Sequence, residues 1–118
     1  LKRQDTTATM VTFTSGGATV ASDERLKENI TTITEATSKL KQLRGVTHTW
    51  KESMQDPDNA DSVSYGLIAQ EVEKVIPEVV HTRNSGEGYK SVSYEKLVPL
   101  LIETIKELEA RIKTLEDA

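Results

Sequence analysis

Apolar residues are most regular at the C-terminal end, where Val98, Leu101, Ile105, Leu108, Ile112 and Leu115 recur at steps of three and four. That spacing lays one apolar stripe along a helix, predicted over 97–116. Pro99 fits only its first turn, where a missing N–H leaves nothing unpaired, so regular helix starts within 97–100. With Ile105 and Ile112 at a positions, Leu101, Leu108 and Leu115 fall at d, and Arg111 at g faces Glu116 at the next e position of a parallel neighbour. Isoleucine at a with leucine at d, taken alone, favours two strands over three. The stripe suits a helix packed on its own domain or an interchain coiled coil. Its continuation into polar terminal sequence favours the coiled coil.

Upstream the pattern is shorter-ranged. "TMVTFT" (9–14) suits a strand, and "SGGATV" reads as a turn followed by a short extended piece. After "SDERLKENI", where Ser22 or Asp23 can cap a short helical turn, a helix is predicted over 34–43, closed by Gly45. "VTHTWKE" places Val46, His48 and Trp50 on one side of a strand, and the polar run 53–62 reads as a loop. Leu67, Ile68, Val72, Val75 and Ile76 follow helical spacing up to Pro77. "EVVHT" and "YKSVSY", separated by "RNSGEG", form a hairpin pattern. The expectation is an α+β class: a small mixed domain with short strands, helices and a long C-terminal helix.

With 118 residues the chain has the size of one domain, and a core this small makes oligomerisation a natural supplement. A net charge of −4 and the lack of a dense basic patch argue against a nucleic-acid partner. No apolar run is long enough to cross a bilayer, so no membrane partner is expected. The chain has no cysteine, which removes disulfides and thiolate chemistry. His48 and His81 lack partners at metal-ligand spacing, so neither a metal nor any other cofactor is expected. Leu1 in place of an initiating methionine suggests a piece of something longer.

One constellation bears on chemistry. Ser22 precedes Lys27 by five positions, and a lysine can act as base to a serine hydroxyl when its surroundings favour the neutral amine. Five is a poor spacing on an ideal helix, where residues three or four apart face each other. The pair can meet only if Ser22 sits ahead of the helix or on a bend. Taken alone it reads as a cap serine beside a solvated lysine. No nucleophile elbow, phosphate-binding loop or metal cluster accompanies it.

Four segments in order change that reading: "SDERLKENI" (22–30), "LKQLRGVTHTW" (40–50), "YGLIAQEVEKVIPEVV" (65–80) and "SVSYEKLVPLLIETIKEL" (91–108). Together they resemble the C-terminal intramolecular chaperone domain of phage tail spikes, endosialidases and tail fibres, which is also a serine self-cleaving peptidase family. The resemblance implies a parallel homotrimer that assists folding of an upstream fibre or spike on the same polypeptide and then cuts itself away. Residues 1–21 would be the end of that β-rich client and 22–118 the chaperone. Ser22 would be the nucleophile, Lys27 its base and Ala21–Ser22 the scissile bond, with Val98, Leu101, Ile105, Leu108, Ile112 and Leu115 as the oligomerisation seam. Asp23 is expected to cap or order the turn, and Arg25 to reach a carboxylate on another chain. The loop at 53–62 would be a short exposed arm. Assembly would take place in the host cytoplasm, with the client ending in the virion tail. Two competing functions are a trimerisation cap that stays attached and a receptor-binding tip using 53–62 or 82–90. The tip lacks an aromatic carbohydrate platform.

Overall fold

The computed structural model describes residues 11–14, 17–51, 54, 58 and 62–118. The chain divides into two compact units, 1–32 and 33–118. In the first, β1 (Val11–Thr14) pairs antiparallel with β2 (Gly17–Val20), Val11 opposite Val20 and Thr14 opposite Gly17. Gly17 enters β2 at φ +117°, which an L side chain rarely adopts. The expected strand and extended piece are therefore one hairpin. The first two residues of "TMVTFT" lie outside the described residues. A single 3₁₀ turn, Glu24–Leu26, follows.

The second unit opens with α1 (Ala36–Leu40). Three-residue strands β3 (Val46–His48) and β4 (Ser64–Gly66) pair antiparallel, Thr47 opposite Tyr65. Helix α2 (Ala69–Val75) leads through a 3₁₀ turn at Pro77–Val79 into β5 (Val80–Thr82). Strand β5 pairs antiparallel with β6 (Lys90–Val92), His81 opposite Ser91, which is the hairpin expected around "RNSGEG". A 3₁₀ turn at Tyr94–Leu97 then runs into α3 (Val98–Glu116). The result is a small mixed helix-and-strand domain with a long C-terminal helix.

Two expectations were too long. The predicted helix over 34–43 is only α1, because Glu35 stands at φ 60°, ψ 30°, in the left-handed region, and stops the helix from reaching 34. At the other end Gln42 and Leu43 donate to Lys39 and Leu40, three residues back, so the chain tightens before Gly45. The strand at 46–50 ends at His48. Trp50 lies beyond it, half exposed, with its ring edge-to-face to His48 at 4.9 Å and 89°. Most of the loop predicted at 53–62 lies outside the described residues.

The core is small: Ala36, Val72, Ile76, Val79, Leu97 and Leu100 are buried, with Ile33, Leu40, Leu43, Leu67, Val75, Val80 and Val92 packed around them. The Tyr94 hydroxyl ties β4 to this core by accepting the Leu67 N–H at 2.9 Å. It passes Gly66 so closely that a Cβ there would lie 2.9 Å from the hydroxyl.

Helix α3 has two distinct faces. Leu100 is buried, and Glu103, Thr104 and Glu107 are half-buried along the same side. Glu107 accepts the backbone N–H of Ala36 (3.1 Å) and of Thr37 (2.9 Å), and the Thr37 hydroxyl donates to it at 2.6 Å. It thereby caps the N-terminus of α1, whose own N-cap residue supplies no side-chain acceptor. From Leu108 onwards every residue of α3 is exposed.

Leu100→Ala is expected to cost roughly 2–5 kcal/mol of unfolding free energy, the usual range for a truncated core leucine, read from urea unfolding. Leu101→Ala, one residue along on the exposed side, is expected to change the stability of the dissociated chain far less.

The three hydrogen bonds from the Thr37 side chain and the Thr37 and Ala36 backbones hold the Glu107 carboxyl below the ordinary glutamate value. A depressed folded-state value means its contribution is complete above the unfolded value and is lost as pH falls through the folded one. Acid titration of the unfolding midpoint is expected to show this loss in the parent. Glu107→Gln is expected to lower the midpoint at neutral pH and to flatten the acid limb.

Candidate self-processing site

The run Ala21-Ser22-Asp23-Glu24-Arg25-Leu26-Lys27 leaves β2 in extended backbone and makes one tight turn. Asp23 is the N-cap of the 3₁₀ turn (φ −65°, ψ 133°), and its Oδ1 accepts the Arg25 N–H at 2.8 Å. The turn closes as Leu26 and Lys27 donate their N–H groups to the carbonyls of Asp23 (3.0 Å) and Glu24 (3.1 Å). Lys27 then leaves in an extended conformation, φ −118°, ψ 151°.

This local geometry answers the spacing objection. Five residues apart on an α-helix, Ser22 and Lys27 would diverge. A single 3₁₀ turn with extended residues on both sides brings them onto one side, where Lys27 Nζ donates to Ser22 Oγ at 2.7 Å. Both residues are exposed and Ala21 is half-buried. A lysine amine in contact with a serine hydroxyl can take the hydroxyl proton when neutral and return a proton when charged.

Within its own chain Arg25 already has a carboxylate partner. Its Nε and Nη2 donate to Asp23 Oδ1 (3.0 Å) and Oδ2 (2.8 Å), a two-pronged pair within the turn. The Arg25 side chain, and after it the Arg25 backbone N–H, hold the Asp23 carboxyl below its ordinary value. Asp23 in return raises the Arg25 guanidinium. The sequence signal for this was an aspartate two residues before an arginine at a helix start, which fits capping but does not reveal the second, side-chain contact.

The seam residues stand together on the outer side of α3. Val98, Leu101, Ile105, Ile112 and Leu115 are at least half exposed, and Leu108, at 40 %, is the least so. Ile102 widens the stripe near its start and was not anticipated. His48 meets Trp50 edge-to-face, and His81 lies on β5. Among the described residues no group of three or more histidine, aspartate or glutamate side chains is arranged to hold a metal ion, and no helix is long and apolar enough to cross a membrane.

Comparison with known proteins fits this geometry. The family model described as chaperone of endosialidase matches residues 22–81, starting at Ser22. The chain is 35 % identical over 99 residues to the long tail fiber protein Gp37 of Enterobacteria phage K3, covering 82 % of this chain and 8 % of that protein. It is equally similar to the Gp37 of Enterobacteria phage T2, covering 7 % of it. The Gp37 of Salmonella phage S16 is 32 % identical over 107 residues, of which this chain covers 14 %. The chain thus spans a small fraction of these fibre proteins, while most of its own length is matched. It belongs to the chaperone-of-endosialidase family.

Proposed function

We propose that this chain is an intramolecular chaperone that assists folding and assembly of an upstream phage tail fibre as a homotrimer, and then releases itself by cutting Ala21–Ser22. The observation that carries the cleavage is the 2.7 Å contact between Lys27 Nζ and Ser22 Oγ, at the residue where the family match begins. The tail fibre proteins among the relatives support the client class. On this reading, residues 1–21 belong to the client and 22–118 to the chaperone. Assembly takes place in the host cytoplasm and the client enters the virion tail.

The chemistry uses the chain's own groups. Neutral Lys27 takes the Ser22 hydroxyl proton as Oγ attacks the Ala21 carbonyl carbon. The resulting tetrahedral centre collapses as the C–N bond breaks, and the Lys27 ammonium gives its proton to the departing Ser22 nitrogen. The Ala21 acyl group is now an ester on Ser22 Oγ. Water hydrolyses the ester, leaving an Ala21 carboxylate and a chaperone that begins at Ser22 with its hydroxyl restored. No cofactor enters the scheme.

Exposure explains why assembly should control the reaction. An exposed lysine has water to keep it charged, whereas neighbouring chains that exclude solvent favour the neutral amine. The exposed stripe on α3 gives three chains a common surface, and burying its six apolar side chains against partners supplies the driving force. A cap that never cuts would use the same stripe. The Ser22–Lys27 contact is what favours self-cleavage over that alternative.

The full chain with its upstream fibre segment is expected to gain a new N-terminus at Ser22, detected by intact mass over time. Ser22→Ala and Lys27→Ala are each expected to assemble and stay uncut. A correctly assembled parent that remains intact would remove the cleavage from the proposal. Ile105→Asp combined with Ile112→Asp, both at exposed positions, is expected to leave a folded chain that sediments as a monomer and cuts at least tenfold more slowly, a loss of about 1.4 kcal/mol or more in transition-state stabilisation.

A further inference from the structure

The partner that Lys27 contacts is not the one its spacing favours. Asp23 lies four residues before it and Glu24 three, separations at which a carboxylate and an ammonium meet on an α-helix, and both carboxylates belong to the same short 3₁₀ turn or its cap. A carboxylate is a stronger partner for an ammonium than a hydroxyl is. Yet Lys27 Nζ rests on Ser22 Oγ, and among the described residues no carboxylate forms an ion pair with it. Arg25 fills three of the roughly four acceptor positions of the Asp23 carboxylate: Oδ1 accepts its backbone N–H and Nε, and Oδ2 accepts its Nη2.

We propose that Arg25 is a positioning residue for self-cleavage: its guanidinium binds Asp23 on both oxygens, outcompetes Lys27 for that carboxylate and leaves the amine on the Ser22 hydroxyl. This rests on the Ser22–Lys27 reading above and adds a residue that touches neither the nucleophile nor the bond to be cut. Asp23 is useful to the turn as a cap and harmful to Lys27 as an anion. The arginine separates the two effects. Its planar fork matches a carboxylate edge to edge, which a lysine in its place would not. The side chains of Glu24 and Glu28, the other carboxylates of this turn, are exposed, and among the described residues neither forms an ion pair with Lys27.

The consequence for the reaction has a definite sign. A carboxylate on Lys27 stabilises the ammonium, and the base must be neutral to take the serine proton. Freeing Asp23 therefore moves the rising limb of the cleavage rate to higher pH and lowers the rate below that limb, about tenfold for each pH unit of displacement.

The test uses the full chain with its upstream fibre, with assembly confirmed by sedimentation and cleavage followed by intact mass across pH. Arg25→Gln is expected to assemble and to cut about tenfold more slowly at neutral pH, with the limb displaced by about one unit. Asp23→Asn combined with Arg25→Gln is expected to recover most of the rate and the parent limb. The asparagine oxygen still accepts the backbone N–H of the turn, but it carries no charge to draw Lys27 away. Arg25→Lys, which can make only one of the two side-chain contacts, is expected to fall between parent and Arg25→Gln. It also serves as the reporter should Arg25→Gln fail to assemble. An Arg25→Gln profile identical to the parent overturns the proposal, as does a double variant as slow as the single one, since Arg25 would then only order the turn. A parent that never cuts would instead remove the underlying self-cleavage reading.

Discussion

Glu107 reaches back 70 residues to cap α1 at Thr37, supplying the acceptor that the helix lacks at its own N-terminus. Helix α1 has only five residues, too few to persist alone. Its start is fixed by a left-handed Glu35 that contributes no side-chain cap. What holds it in place is the burial of Ala36 and the carboxylate above it. The same contacts fix the rotation of α3 about its own axis. With Leu100 and Glu107 turned to the domain, the stripe through Leu101, Ile105 and Ile112 has to face outward. One ionic cap therefore decides both that α1 exists and which side of α3 is left exposed.

The processing turn depends on a comparable local constraint. Three hydrogen bonds on the Asp23 carboxylate and two along the backbone define seven residues that bury almost nothing. Such a turn is held by polar geometry, and its stability at the surface is modest. On the proposed reading, one chain assembles the site in outline, and its base works only after further enclosure. The proposed self-cleavage would benefit from that incompleteness, because a fully formed site would cut the client before it had folded.

Much of this was legible in the sequence, and the reasons differ from element to element. The helix at 97–116 and the hairpin around "RNSGEG" were visible because their periodicities are long or sharply punctuated. The outward stripe was visible as well, but the inner contact of the same helix was not. Leu100 is a single apolar residue off the stripe, and Glu107 reads as an ordinary solvated acid until α1 is folded against it. The shortening of α1 was equally hidden, since a left-handed glutamate is set by tertiary context and goes against propensity. Ser22 and Lys27 were picked out by resemblance, against a spacing rule that holds for α-helices. The 3₁₀ turn with extended flanks is the conformation under which that rule lapses. The pairing of Arg25 with Asp23 within the turn was not visible, because a sequence does not show that a short loop can satisfy its own charges.

The two surfaces, seam and turn, make a coherent device only if one governs the other. Apolar burial along α3 is non-directional and strong once several chains meet, while the contact between Lys27 and Ser22 is directional and weak in water. If the first draws chains together and the second is enclosed as a result, cleavage reports that assembly has happened. On that proposed reading, cutting the bond would leave the fibre folded but without the domain that guided it there. Unfolding then has no guided route back, and the persistence of the fibre becomes a matter of rate rather than of equilibrium. The exposed polar turn suits the proposed order of events, since enclosure by neighbouring chains is what would change its surroundings.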